Sequence, residues 1–80
     1  MRTTVNIPKT GVKFDKYPTW QGYTVYAEIE GRKSNVYLAN YRKGVYTWVT
    51  DYTYANHYTE KTANNHLATL RTEQLLNERR

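Results

Sequence analysis

Two pairs of adjacent cations, Arg32-Lys33 and Arg42-Lys43, sit next to glycines Gly31 and Gly44 and between segments crowded with tyrosine. Guanidinium and ammonium groups neutralise phosphate, and neighbouring aromatic rings stack on unpaired bases or fill a protein partner's surface, so the chemistry on offer is recognition. Tyr26, Tyr37 and Tyr41 are the rings placed near those turns along the chain. With Arg32, Lys33, Arg42 and Lys43 they make up the candidate nucleic-acid-binding set. Catalysis has no comparable set: there is no Cys nucleophile, no Ser and His arrangement with a fold signal, and no glycine-rich phosphate loop. His57 and His66 lack a carboxylate at the spacing of a metal motif, and Glu60 alone does not complete one. Neither a catalytic residue, a metal nor a cofactor is expected.

Charge narrows where a partner would meet the chain. The 80 residues carry a formal net charge of +5, with nine Tyr, two Trp and one Phe. Residues 1–44 hold eight Lys or Arg against three acids, whereas residues 45–80 hold four of each sign. An anionic partner is therefore steered to the first half. Glu28 and Glu30 oppose a fully electropositive surface there, with Lys33 the natural partner for Glu30. Tyrosine and arginine also dominate protein interfaces, so a protein partner fits the composition as well as DNA or RNA does.

Elements must hold these groups. Eighty residues allow one small domain, and the absence of Cys removes any disulfide support for its core. No apolar run is long enough to span a bilayer, and the polar start lacks a signal segment, so a cytoplasmic location and no membrane partner are expected. Thr3, Val5 and Ile7 alternate with polar residues and predict a short first strand ended by Pro8. Residues 9–22 contain Gly11, Pro18 and Gly22 and predict a loop anchored by Val12, Phe14, Tyr17 and Trp20, with at most a brief strand at Val12 to Phe14.

The segment from Tyr23 to Glu30, then Gly31-Arg32, then Lys33 to Ala39, predicts a hairpin with a two-residue type II′ loop. That register sets Ala27 opposite Val36, Tyr26 opposite Tyr37 and Val25 opposite Leu38. It points Val25, Ala27, Ile29, Val36 and Leu38 inward, with Glu28, Tyr26 and Tyr37 outward. A three-residue loop at Arg42-Lys43-Gly44 would pair Tyr41 with Val45 and Leu38 with Trp48, burying Trp48. A four-residue loop would turn Trp48 to the other face, and burial is preferred because a large ring gains most from leaving water. Asp51 caps a short helix through about His57, and Thr59 caps a longer one with Glu60 in its first turn. Ala63, Leu67 and Leu70 follow helical spacing, whereas Leu75 and Leu76 do not extend that stripe. A bend near Thr72, a contact to a second subunit, or a frayed tail would each account for them.

The resulting fold class is α+β: a three-stranded antiparallel sheet, four with an N-terminal strand, packed against a C-terminal helix. Its divisions are an N-terminal strand and loop (1–22), the sheet (23–50), a short helix or turn (51–58) and the C-terminal helix (59–78). Over residues 23–70 this order resembles the sheet-and-helix DNA-binding domains of some mobile-element integrases and of a family of plant transcription factors. That resemblance implies a sheet entering the major groove, yet Glu28 and Glu30 fall where a basic reading surface belongs. The short, Tyr- and Asn-rich chain also resembles accessory proteins of phages or plasmids in Gram-positive bacteria. The expected role is a small non-enzymatic nucleic-acid-binding or regulatory accessory protein. The alternatives are a protein-interaction module using Tyr26, Tyr37 and the Leu75-Leu76 end, or a self-associating structural component.

Overall fold

Extended segments with alternating burial make up the largest share of the regular structure, and a computed structural model describes residues 4–79. The strands are β1 (Thr4–Val5), β2 (Val12–Thr19), β3 (Gly22–Ile29), β4 (Val36–Arg42) and β5 (Val45–Val49), followed by a 3-10 turn (Tyr52–Tyr54) and helix α1 (Glu60–Glu78). They form one antiparallel sheet in the order β1-β5-β4-β3-β2. The α+β class is as expected, with five strands rather than three or four. Val5 pairs with Trp48, as an N-terminal strand requires, while Thr3 lies outside the described residues.

The added strand is β2, which replaces the expected loop. Val12 pairs with Ile29 and Phe14 with Ala27, through to Thr19 with Gly22, leaving Trp20-Gln21 as a two-residue tip. Pro18 does not interrupt it, because β2 is an edge strand and the missing N–H falls on the unpaired side. Three of the outward groups of that edge are occupied by side chains. Val12 N–H donates to Gln74 Oε1 at 2.7 Å, the Arg71 guanidinium donates twice to the Phe14 carbonyl at 2.7 and 3.2 Å, and Lys16 N–H donates to Asp15 Oδ1. These contacts and Pro18 make β2 a poorer template for strand addition.

Both later connections differ from expectation in detail. Tyr26 pairs with Tyr37 and Ala27 with Val36, as the alternation requires, but pairing stops there and residues 30–35 form a longer connection than two residues. Gly31, at φ 84°, sits in a turn closed by Arg32 N–H on the Ile29 carbonyl. The other turn is Lys43-Gly44, both at positive φ, so Arg42 pairs with Val45 and Tyr41 with Tyr46. A bulge between Leu38 and Asn40 then restores Leu38 opposite Trp48, and Trp48 is buried as expected, at 4% exposure.

Beyond Tyr26 and Tyr37 the strands β3 and β4 diverge, and residues 56–58 fill the gap. Asn56 N–H donates to the Leu38 carbonyl, and Tyr23 and Tyr58 exchange both backbone bonds at 2.8 and 2.9 Å. The sheet also curls. Phe14 and Trp48 lie on strands three positions apart, about 14 Å in a flat sheet, yet their ring centroids are 5.7 Å apart. The concave face so formed holds Val12, Phe14, Val25, Ala27, Val36, Leu38 and Trp48, and α1 closes it with Ala63, Leu67 and Leu70. Thr59 starts α1 by accepting from Thr62 N–H, as expected. Asp51 also caps by accepting from Thr53 N–H, but the element it starts is a 3-10 turn that ends at Tyr54 rather than a helix reaching His57, because residues 56–58 are drawn into the sheet. No bend intervenes at Thr72: α1 continues to Glu78 and leaves Leu75 and Leu76 more than half exposed. Among the described residues no helix is long and apolar enough to cross a membrane.

Candidate functional site

Alternation along β2, β3 and β4 turns Asp15, Tyr17, Tyr26, Glu28 and Tyr37 away from the helix. The chain then returns across this convex face through the 3-10 turn, whose Tyr52 meets two of these rings. Tyr17 and Tyr52 are stacked at 6.1 Å, Tyr37 and Tyr52 are edge-on at 5.3 Å, and Tyr17 lies 5.7 Å from Tyr26. Four tyrosines from three strands and one turn thus form a continuous aromatic patch. His57 supports it from below. Its ring is edge-on to Tyr52, and its Nδ1 lies 3.2 Å from the hydroxyl of buried Thr24 and 3.4 Å from that of Thr19.

The carboxylates beside the patch set its electrostatics. Burial raises the Tyr26 pKa above the ordinary tyrosine range, and the negative charges of Asp15 and Glu28 push it further up. Desolvation likewise raises Tyr17, followed by the Tyr52 hydroxyl beside it. These phenols stay neutral donors, and beside Tyr26 the two carboxylates add negative charge. Asp15 is only loosely paired, with Arg71 Nη2 at 3.7 Å, because that guanidinium is held by the Phe14 carbonyl. Glu28 lies across from Lys13 and forms no ion pair among the described residues.

The expected binding residues do not converge. Tyr26 and Tyr37 share the convex face. Tyr41 lies on the opposite, helix-covered side, 4.5 Å from Tyr46 and 5.0 Å from the His66 ring, because the bulge in β4 shifts the side-chain alternation. Arg32-Lys33 and Arg42-Lys43 stand at opposite ends of β4, about 20 Å apart for a strand of that length. A cleft of about 590 Å³ at the Arg32-Lys33 end also contains Glu28, Glu30 and Glu78. No protein family, curated protein or solved structure matches this chain.

Three residues outside the expected set extend the site. Tyr17 and Tyr52 complete the patch, although Tyr17 falls in the supposed loop and Tyr52 in the supposed turn. Trp20, expected as a loop anchor, is 90% exposed at the β2–β3 tip. That tip is firmly held: the Thr19 hydroxyl donates to the Gly22 carbonyl at 3.0 Å and accepts from Gln21 N–H at 3.2 Å. An exposed indole thus lies at the end of the strand that carries Asp15 and Tyr17.

The second histidine serves the core rather than this patch. His66 is surrounded by Tyr41, Tyr46 and Tyr58, with its Nδ1 3.2 Å from the Tyr46 hydroxyl. Burial lowers its pKa below the ordinary 6.5. The unfolded chain therefore takes up a proton first as pH falls, so the His66 contribution favours folding above 6.5 and turns against it as pH drops through that value. Denaturant midpoints at pH 7.5 and pH 5 are expected to differ less in His66→Phe than in the wild type. An equal difference would place the titration elsewhere.

Proposed function

We propose that this chain is a non-enzymatic binding module that engages a protein partner through the convex tyrosine face, with Trp20 as a protruding anchor. The observation that carries this reading is the patch of half-buried Tyr17, Tyr26 and Tyr37 with exposed Tyr52, flanked by Asp15 and Glu28. Tyrosine and tryptophan contribute large, rigid contact area with hydrogen-bonding tips and dominate the energetic centres of protein interfaces. Phosphate binding would require an excess of cations around the rings; the two cation pairs lie at separate ends of β4, and Lys13 and Arg71 beside Tyr26 are offset by Glu28 and Asp15.

The test is selection of a random-peptide display library on the whole chain, followed by titration of the enriched peptides against variants. Tyr52→Ala and Trp20→Ala are each expected to weaken binding about tenfold or more, with far-ultraviolet circular dichroism unchanged. Duplex and single-stranded oligonucleotides are titrated in parallel at two salt concentrations. Salt-sensitive oligonucleotide binding that survives both substitutions but is lost in Arg42→Ala/Lys43→Ala would overturn the reading in favour of a nucleic-acid module.

A further inference from the structure

Seven acidic residues in a chain of net charge +5 leave few places where negative charge can gather. One lies against the tyrosine face. Asp15 lies directly across from Tyr26 on β2 and Glu28 two residues along β3 on the same face, and a cleft of about 390 Å³ there is lined by Lys13, Asp15, Tyr26, Glu28, Arg71 and Gln74 among others. We infer that this cleft receives a cationic side chain, an arginine above all, from an extended segment of the protein partner. The inference rests on the proposed protein-binding role of the tyrosine face and gives that partner its chemistry.

The geometry suits a guanidinium in two ways. A planar cation stacks on a phenol ring through the ring's negative quadrupole, and its fork of N–H donors reaches carboxylates at the side. Tyr26 supplies the ring, Asp15 and Glu28 the carboxylates. Two cations of the chain share the cleft and must be accounted for. Arg71 is occupied by the Phe14 carbonyl at 2.7 and 3.2 Å, so its approach to Asp15 is no closer than 3.7 Å. Lys13 is exposed and free of an ion pair among the described residues, and its charge opposes an incoming cation.

That opposition gives the substitutions a signed pattern. Asp15 and Glu28 lie to one side of the tyrosine patch, so an arginine seated between them would also fix the segment's register on the face. Lysine fits the carboxylates less well, because it lacks the planar stack on Tyr26.

Peptides enriched on the whole chain are sequenced and titrated by fluorescence anisotropy at 50 and 300 mM salt, with the enriched arginine changed to lysine or glutamine in synthetic copies. The expected result is arginine enrichment, about tenfold weaker binding in Asp15→Asn or Glu28→Gln, and tighter binding in Lys13→Gln. Peptides that depend on Tyr52 and Trp20 but carry no cation, or that ignore Asp15→Asn and Glu28→Gln, would overturn the cationic partner and leave the tyrosine face standing. Failure to obtain any peptide that depends on Tyr52 would overturn both. Circular dichroism melts of each variant establish that the changes act on binding rather than folding.

Discussion

Replacing Trp48 with alanine is expected to destabilise the chain by about 3–5 kcal/mol, enough to leave much of so small a domain unfolded at room temperature. Trp48 is nearly sealed from water, lies 5.7 Å from Phe14 across the curl of the sheet and 6.5 Å from Tyr46 along its own strand. Removing the indole therefore breaks the contact that joins the two sides of the concave face. Trp48→Phe keeps part of that contact and is expected to lose less than half as much. Urea unfolding followed by circular dichroism at 222 nm measures both. A Trp48→Ala protein as stable as the wild type would place the ring outside the core and refute the register of β4 and β5.

A second large loss is expected from Gly22→Val. Gly22 lies at φ 130°, where a side chain is strained, and a Cβ built there would stand 2.7 Å from the Tyr58 carbonyl oxygen. The obstacle is backbone, so the two Tyr23–Tyr58 hydrogen bonds must shift to make room. Strain of this kind costs about 1–3 kcal/mol, before any loss from displacing residues 56–58. The same urea titration reads the change, and amide exchange locates it at Tyr23 and Tyr58. Gly31→Val makes a control, because its Cβ would meet nothing within 4 Å. Equal losses at the two glycines would mean that backbone strain alone, and not the wedge between β3 and β4, governs Gly22.

The pair of glycines marks the boundary of what pattern reading reaches. Tyr26 opposite Tyr37 and Ala27 opposite Val36 follow from strict alternation on both strands, and the helix start at Thr59 follows from its cap. The β2 strand is hidden because only Val12 and Phe14 carry its inward pattern. Lys16 and Pro18 occupy the next two inward positions, and they are tolerated because Lys16 reaches Asn64 while Pro18 lies on the edge. The bulge at Ala39 exchanges a three-residue turn for a two-residue one without moving Leu38 from Trp48, so local turn chemistry and core register disagree by one residue. The insertion of residues 56–58 depends on where strands part, and no local signal carries it.

The tyrosine face was half legible for the same reason. Tyr26 and Tyr37 come from the hairpin whose alternation is clear, whereas Tyr17 and Tyr52 join them only through the unforeseen strand and the returning chain. The adjacent cations were the more visible feature along the sequence, but antiparallel topology separates them by the length of β4. Leu75 and Leu76 remain exposed on α1 next to polar neighbours such as Thr72 and Arg71, without an apolar stripe to continue.

Amide chemical-shift mapping of the whole chain with an enriched peptide tests the central claim most directly. The account requires the largest shifts at Asp15, Tyr17, Tyr26, Glu28, Tyr37 and Tyr52, with the Trp20 indole N–H moving in step. Shifts confined to Arg32-Lys33, to Arg42-Lys43 or to Leu75-Leu76, with the tyrosine amides unmoved, would contradict it.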